Sequence, residues 1–245
     1  IYRKGHLARA MAKMQHCSEG YDFFPRTWCL PRDYSEVVKY FRTAARPVCI
    51  VKPCSGSQGK GIYLALSSKH IEPSADCVVQ TYVERPLLID GKKFDLRIYA
   101  LVVSCDPLRV YIHKEGLVRL CVEPYQCPTK GNLDNQFIHL TNYAVNKQSD
   151  DYVESNDPAD ENSCSKRSLS WLMEFLAKDS GDPMMPATVW RNTSDVIVKT
   201  LLSIESTLAE TYRSCKLDAD DRSPFTCFEV LGFDILLDEK YTPHL

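Results

Sequence analysis

The sequence has no long apolar run, no excess of basic residues and no paired cysteine motif, and each absence excludes a class of protein. Its longest apolar segments, such as residues 98–103, are far shorter than the roughly 20 residues that span a bilayer. Lys and Arg number 30 against 32 Asp and Glu, for a net charge of −2. The chain therefore lacks the general attraction to phosphate backbones of a basic nucleic-acid-binding domain. We expect neither a membrane nor a nucleic acid as partner.

The eleven cysteines show no C-x-x-C spacing, which argues against a zinc site or a disulfide framework. The first 13 residues interleave basic and apolar side chains, so they lack the continuous hydrophobic segment of a secretory signal peptide. No initiator Met opens the chain, and we expect it to be a fragment of a longer protein. These features favour reduced, buried thiols in a cytosolic protein.

The composition is that of a globular protein, with 44% hydrophobic and 25% charged residues among 245. Apolar periodicity predicts helices over residues 6–16, from a cap at Ser35, from a cap at Ser168 to Gly181, and over 195–212. Runs of β-forming residues predict strands over 48–52, 62–66, 77–83, 93–104 and 225–238, and a hairpin over 109–121 with Gly116 at its turn. Residues 150–161 are predicted to form a solvated acidic loop. The mixture predicts an α+β fold.

A glycine-rich segment, "VKPCSGSQGKG" at residues 51–61, is the first candidate for ligand binding. Its three glycines allow close approach of backbone to a ligand, and Lys52 and Lys60 add positive charge. The spacing matches neither the P-loop nor the dinucleotide-binding turn. The segment is therefore either a phosphate-binding loop or an ordinary glycine-rich hairpin.

Charged residues also alternate with apolar ones in "DGKKFDLRIY". Period two places Lys93, Asp95 and Arg97 on one face of a strand, where they line a cleft or form a solvated sheet face. Asp234 stands in the apolar segment "GFDILLD", as a Mg²⁺ ligand or as a structural carboxylate.

Six segments together resemble the tubulin tyrosine ligase-like family, on its polyglutamylase branch. They are "FFPRTWCLP", "KPCSGSQGKGIYL", "LIDGKKFDLRIYALVVSCDPLRVYIHKEGLVRL", "HLTNYAVNK", "SKRSLS" and "CFEVLGFDILLD", and they are distributed along residues 23–238 of the chain. The resemblance implies an ATP-grasp fold in which two subdomains enclose ATP. It assigns residues 1–46 to the end of an N-terminal region with connecting helices, 47–83 to the central subdomain and 84–245 to a truncated C-terminal subdomain.

The same resemblance implies roles for individual residues. The implied nucleotide contacts are Lys52, the loop residues Gln58, Gly59, Lys60 and Gly61, the hinge strand Gln80, Thr81, Tyr82 and Val83, and Lys93, Phe94, Asp95, Thr141 and Asn142. A separate pocket for the incoming amino acid is implied for Arg119, Tyr143, Ala144 (through its backbone) and Lys166. Arg97 is assigned to the acceptor or the transferred phosphate, and Asp234 to catalysis and Mg²⁺. In the family, a Glu and an Asn that would follow residue 245 complete the metal site. On residue spacing alone, Arg119 could instead form a surface pair with Glu123.

The activity that this resemblance implies is ATP-dependent addition of glutamate to glutamate side chains of tubulin tails, through an acyl phosphate. The implied partners are tubulin, microtubules and free L-glutamate, for a monomer in the cytoplasm and the cytoskeleton, at the cilium or basal body. Three basic clusters either meet the acidic tails or form solvated faces: Arg3, Lys4 and Arg9; Lys92 and Lys93; Lys166 and Arg167. Alternatives are a glycine or tyrosine ligase of the same fold, or a non-catalytic ATP-grasp module that binds microtubules. A Cys/His hydrolase has no local motif in its favour.

Overall fold

The computed structural model describes residues 3–154, 162–215 and 227–245. The α-helices in this part of the chain are α1 (Lys4–Cys17), α2 (Tyr34–Thr43), α3 (Gln136–His139), α4 (Tyr143–Asn146), α5 (Leu169–Ser180), α6 (Met185–Leu202) and α7 (Glu205–Cys215). The strands are β1 (Thr27–Cys29), β2 (Cys49–Pro53), β3 (Tyr63–Ala65), β4 (Cys77–Thr81), β5 (Leu88–Ile89), β6 (Lys92–Cys105), β7 (Leu108–Leu120), β8 (Lys166–Ser168), β9 (Glu229–Leu237) and β10 (Pro243–His244). No helix in the described ranges has the length and apolarity needed to cross a membrane.

The strands form two antiparallel sheets. The smaller sheet has the order β1-β4-β2-β3, and the larger has the order β10-β9-β6-β7-β8, with β5 paired to β6. Helices α5 and α6 cover one face of the larger sheet. The prediction of an α+β fold is therefore confirmed.

Strand β6 shows how the sequence divides the larger sheet into two faces. Phe94, Leu96 and Ile98 are fully buried in the core with residues of α5 and α6. The residues between them, Asp95 and Arg97, lie on the opposite face because side chains alternate along a strand. This face carries the charged groups of the site described below.

Helix α1 contacts the cores of both sheets. Met11 is fully buried in the core of the larger sheet, whereas Ala8 packs against Cys29 and Val78 of the smaller sheet. The helix therefore lies across one side of the junction between the two sheets.

The predicted hairpin turn at Gly116 is wrong. The turn that joins β6 and β7 lies at residues 106–107, and Gly116 is within β7, opposite Ile98. A Cβ at position 116 would lie 2.7 Å from the carbonyl oxygen of Arg97. The glycine is therefore explained by close approach of β6, since no side chain fits there.

The predicted helix over 195–212 is also wrong, because the chain forms two helices, α6 and α7, that are separated at residues 203–204. Helix α6 begins ten residues earlier than predicted, with Pro186 in its first turn, a position that proline tolerates. Helix α2 begins at Tyr34, so the predicted cap at Ser35 is wrong. Residues 155–161 of the predicted acidic loop and 225–226 of the predicted strand lie outside the described residues.

The remaining helix predictions are confirmed. Helix α1 covers the predicted residues 6–16, and α5 begins after Ser168, whose hydroxyl oxygen accepts the N–H of Trp171 at 3.0 Å. Helix α5 ends at Gly181, which has φ +67°. All eleven cysteines are free thiols, but the prediction that they are buried is wrong for Cys17, Cys127, Cys215 and Cys227, which are exposed.

Glu115 of β7 caps the N-terminus of α5 from another element. Its Oε1 accepts the N–H groups of Leu169 at 2.7 Å and Ser170 at 3.2 Å. Burial opposes ionisation, but the Ser170 hydroxyl and these N–H groups hold the pKa of Glu115 below its usual value. The carboxylate therefore stabilises the fold above its usual pKa, and this stabilisation is lost as the pH falls through the lowered value.

Glu115→Ala is accordingly expected to destabilise α5 by about 0.5–2 kcal/mol at pH 7, as for other lost caps, and by less at acid pH. Hydrogen exchange of the α5 amides in the full-length protein measures this change. The control is Glu174→Ala, at an exposed position of α5, which is expected to change stability by less than about 0.5 kcal/mol. Equal protection of α5 in the two variants at pH 7 would contradict the capping role.

Candidate active site

A cavity of about 930 Å³ lies between the two sheets and brings together most of the residues that the sequence predicted for the site. The predicted residues that line it are Lys52, Gln58, Gly59, Lys60, Gln80, Thr81, Tyr82, Val83, Lys93, Asp95, Arg97, Arg119, Thr141, Asn142, Tyr143, Ala144 and Asp234. The other three are not among the lining residues: Phe94 is in the core, Gly61 stands between the lining residues Lys60 and Ile62, and Lys166 lies beside Tyr143. Phe94 faces away because it alternates with Lys93 and Asp95 along β6.

The glycine-rich loop connects the antiparallel strands β2 and β3, so it is a hairpin loop that also lines the cavity. Gly59 has φ +82°, and a Cβ there would lie 2.8 Å from Val145 and 3.0 Å from Asn142 Oδ1. On its other side, the carbonyl oxygen of Gly56 accepts a hydrogen bond from Lys4 Nζ at 2.8 Å. The loop is therefore packed between α1 and α4.

Two lysines, the buried Lys93 and the partly buried Lys52, reach the cavity without a carboxylate partner. Lys52 Nζ donates to Gln80 Oε1 at 2.7 Å, and Lys93 Nζ donates to the Tyr82 hydroxyl at 2.9 Å and the His139 carbonyl at 3.0 Å. Within the described residues, neither ammonium forms an ion pair within 4.0 Å. Burial lowers the pKa of each lysine to about 8. Buried cations without counter-ions are unfavourable, so these two positions suit an anionic ligand.

A network of four charged residues crosses β7, β6 and β9. Arg119 donates to Asp95 Oδ1 at 2.8 Å and to Asp234 Oδ1 at 2.7 Å, and Arg97 donates to Asp234 Oδ1 at 2.7 Å. The strand register explains the network, since Asp95 is opposite Arg119 and Arg97 is opposite Asp234. Although burial opposes it, the two carboxylates hold the pKa of Arg119 above its usual value. Arg119 therefore stays charged.

Gly232 makes room for one arginine of this network. It lies on β9 in the cavity wall, and a Cβ at this position would lie 2.7 Å from Arg97 Nη1. A side chain at position 232 would therefore displace the Arg97 guanidinium.

Burial and the charged network decide between the alternative interpretations of Lys93, Asp95 and Arg119. Lys93 is 7% exposed and Asp95 is 8% exposed, so a solvated sheet face is wrong for these residues. The surface pair of Arg119 with Glu123 is also wrong, because Arg119 is 8% exposed and contacts Asp95 and Asp234. Arg119 contacts Asp95 directly, so the residues predicted for the nucleotide and those predicted for the amino acid adjoin in one cavity.

Tyr143 marks the side of the cavity that the sequence assigned to the amino acid. The Nζ atoms of Lys147 and Lys166 lie 5.1 and 4.9 Å from its ring centroid, and Lys166 also pairs with Glu154 at 2.7 Å. This group of cations over one aromatic ring is partly exposed, so it adjoins solvent as well as the cavity.

Among the cavity-lining residues that sequence reasoning did not assign to the site are Lys4 and His139. Lys4 contributes a further cation, which the sequence showed only as part of a basic cluster at the start of α1. His139 is 2% exposed and stands just before Thr141 and Asn142 in the segment "HLTNY". The position of His139 next to Thr141 and Asn142 is a sequence signal that it belongs to the site. Lys4 has no such signal, and only the packing of α1 places it at the cavity.

For a metal ion, Asp234 offers the accessible carboxylate of the network. Within the described residues, no group of three or more His, Cys, Asp or Glu side chains could hold a metal ion by itself. Mg²⁺ in nucleotide sites is commonly held by one or two carboxylates together with phosphate oxygens. Asp234 is partly exposed to the cavity and fits that role as one ligand, in exchange for its contacts with Arg97 and Arg119.

Comparison with known proteins shows which family the sequence of this chain matches. Residues 1–245 match the tubulin-tyrosine ligase family. The chain is 46% identical over 246 residues to tubulin polyglutamylase ttll6 of Danio rerio, and 44% identical over 247 residues to tubulin polyglutamylase TTLL13 of Homo sapiens. It is also 41% identical over 250 residues to tubulin polyglutamylase TTLL7 of Xenopus tropicalis.

These matches cover 100% of the chain but only 30%, 29% and 27% of the three relatives, so the chain spans less than a third of their lengths. The family match, by contrast, extends over every residue of the chain. The chain belongs to the tubulin-tyrosine ligase family.

Proposed function

We propose that this chain is the ATP-binding part of a tubulin polyglutamylase, which joins free L-glutamate to glutamate side chains on the acidic tails of tubulin. The observation that carries the proposal is the cavity between the sheets, where the buried Lys93 and the partly buried Lys52, neither of them in an ion pair, adjoin the four-residue charged network. The relatives named as tubulin polyglutamylases support the choice of amino acid and acceptor.

We further propose an ATP-grasp arrangement. Residues 47–83, with β1 added to the same sheet, form the central subdomain, and 84–245 belong to the C-terminal subdomain. The proposed partners are tubulin and microtubules, for a monomeric enzyme of the cytoplasm and cytoskeleton, including the cilium or basal body. The exposed cations at Tyr143 suit an acidic polypeptide.

The chemistry requires charge stabilisation more than a nucleophilic side chain. A carboxylate is a poor electrophile, so the acceptor carboxylate first takes the γ-phosphoryl group of ATP and releases ADP, which gives an acyl phosphate. The glutamate amino group then attacks the acyl carbon, and the new amide bond forms as inorganic phosphate leaves. Lys52 and Lys93 bind the nucleotide, Arg97 faces the transferred phosphate, and Arg119 orients carboxylates. Asp234 would hold Mg²⁺, and the ion would supply positive charge that offsets the charge on the phosphates.

Lys52→Ala is expected to weaken ATP binding by about 1.5–3 kcal/mol, the usual contribution of a hydrogen bond to a charged group. The change corresponds to a rise in Kd of about tenfold or more, which calorimetry on the full-length protein measures. The matched control is Lys69→Ala, at an exposed position outside the cavity wall, which is expected to bind ATP as the wild type does. Identical affinities for Lys52→Ala and wild type would remove Lys52 from the nucleotide site.

Amino-acid choice is tested with labelled glutamate, glycine and tyrosine in parallel, on microtubules and on tail peptides. ATP-dependent incorporation of glutamate is the expected result. Incorporation of glycine or tyrosine in its place would assign the chain to a ligase of different specificity. Microtubule binding without any incorporation would indicate a non-catalytic module.

A further inference from the structure

The Lys93 ammonium lies in a buried cluster with Tyr82 and His139, and hydrogen bonds connect the three residues. Lys93 Nζ donates to the Tyr82 hydroxyl oxygen at 2.9 Å and to the His139 carbonyl at 3.0 Å. The ammonium also lies 4.2 Å from the centroid of the Tyr82 ring. The Tyr82 hydroxyl in turn is 3.2 Å from His139 Nδ1. All three side chains are buried and reach the cavity wall.

The direction of each proton follows from the chemistry of the groups. An ammonium can only donate, so the Tyr82 oxygen accepts from Lys93, and the direction of its bond with His139 Nδ1 is set by the tautomer of the imidazole: Tyr82 donates when the proton is on Nε2. This requires a neutral imidazole. Burial, followed by the charge of Lys93, lowers the pKa of His139 to about 4, so the imidazole is neutral near pH 7. In the Nε2-protonated tautomer the order of donation is Lys93 to Tyr82 to His139.

We propose that Tyr82 and His139 are positioning residues for Lys93, which hold two of its three N–H bonds so that the third is directed into the cavity toward the nucleotide. The proposal rests on the proposed function, since it assumes that the cavity binds ATP. It assigns His139 a role through Tyr82 and Lys93 rather than through contact with the nucleotide.

The charge on Lys93 supplies a measurable signal. Burial lowers its pKa to about 8; Cys121 and Asp95 oppose this change, and Lys52 adds to it. Lys93 also faces Tyr82 and His139 of the cluster. Tyr125 lies next to the cluster, and its hydroxyl donates to the Glu84 carbonyl. A raised pH discharges the Lys93 ammonium and also that of Lys52, whose pKa is likewise about 8, so affinity for an anionic nucleotide is expected to fall above about pH 8. Loss of an acceptor disfavours the charged form further and moves this fall to lower pH.

The test is the Kd of the full-length protein for ATP with Mg²⁺, measured between pH 6.5 and 9.5 for wild type, Tyr82→Phe, His139→Phe and His139→Gln. Tyr82→Phe keeps the ring over the ammonium but removes the hydroxyl. Its affinity is expected to fall at a pH lower by about one unit, which makes binding about tenfold weaker on the alkaline side. His139→Phe is expected to shift the fall in the same direction, and His139→Gln, which keeps an acceptor, to restore it in part.

The control is Tyr63→Phe, because the Tyr63 hydroxyl donates to the His70 carbonyl at 3.3 Å and Lys93 is not among its partners. This variant is expected to keep the wild-type profile. If wild type binds ATP with an alkaline fall that Tyr82→Phe leaves in place, the positioning role is overturned while the proposed function stands. If wild type binds no ATP at any pH, both are overturned. If His139→Phe does not fold, Tyr82→Phe and His139→Gln decide the question.

Discussion

Replacing Arg119 by Leu is expected to destabilise the larger sheet by about 3–5 kcal/mol, the usual result of removing one partner from a buried ion pair. The substitution leaves Asp95 without its bidentate partner and removes one of the two arginines that contact Asp234. Hydrogen exchange of the β6 and β7 amides in the full-length protein measures the loss.

The pH dependence of this effect has a definite sign. Burial raises the pKa of Asp95, against the opposing charge of Arg119, and without that arginine the protonated form is favoured still more. A carboxyl whose folded-state pKa is raised gives more stability as the pH falls through that value. The cost of Arg119→Leu is therefore expected to be smaller at pH 4 than at pH 7.

The matched control is Arg213→Leu, which breaks an exposed pair with Asp106 and is expected to cost no more than about 1 kcal/mol. Equal losses for the two arginine variants would show that the buried network does not support the sheet. Arg119→Lys keeps the charge but loses the bidentate geometry. Because Arg119 contacts Asp95, we expect this variant to raise the KM for both glutamate and ATP, rather than for glutamate alone.

Asp234→Asn is expected to abolish Mg²⁺-dependent turnover in the full-length enzyme while leaving the fold intact. An amide cannot supply the anionic ligand that Mg²⁺ requires beside the phosphates, and it no longer neutralises Arg97 and Arg119. Rates of glutamate incorporation, measured over a range of Mg²⁺ concentrations, test this expectation. We expect a loss of at least about 100-fold, similar to the loss of other electrostatic groups in active sites.

Asp195→Asn is the control for this substitution, since Asp195 forms an exposed pair with Lys199 on α6. It is expected to show the wild-type rate. Wild-type turnover of Asp234→Asn at ordinary Mg²⁺ concentrations would exclude Asp234 as a metal ligand.

Much of the site could be predicted because its residues follow the two-residue periodicity of a strand. Lys93, Asp95 and Arg97 alternate with buried apolar residues, so their common face follows from the sequence. Their partners could not be predicted in this way. That Asp95 meets Arg119 and Arg97 meets Asp234 depends on the register between distant strands, which local sequence does not specify.

Two of the errors also come from contacts between distant parts of the chain, and a third comes from weak local periodicity. Gly116 is a typical turn residue, but its actual constraint is the close approach of the Arg97 carbonyl from the neighbouring strand. Lys4 carries no motif, because its position at the glycine-rich loop depends on how α1 packs. Helix α6 was placed too late because residues 185–194 bury only one apolar side chain, Val189, and so give little periodic signal.

The position of α1 constrains how substrates and products can exchange. Since Met11 is buried against the larger sheet and Ala8 against the smaller one, pulling the two sheets apart on this side would expose apolar surface. Exposing a residue such as Met11 costs about 1.5–3 kcal/mol. Opening is therefore expected to be a rotation of one sheet relative to the other about an axis along α1. Helix α1 would act as the hinge, and the mouth of the cavity would widen on the opposite side.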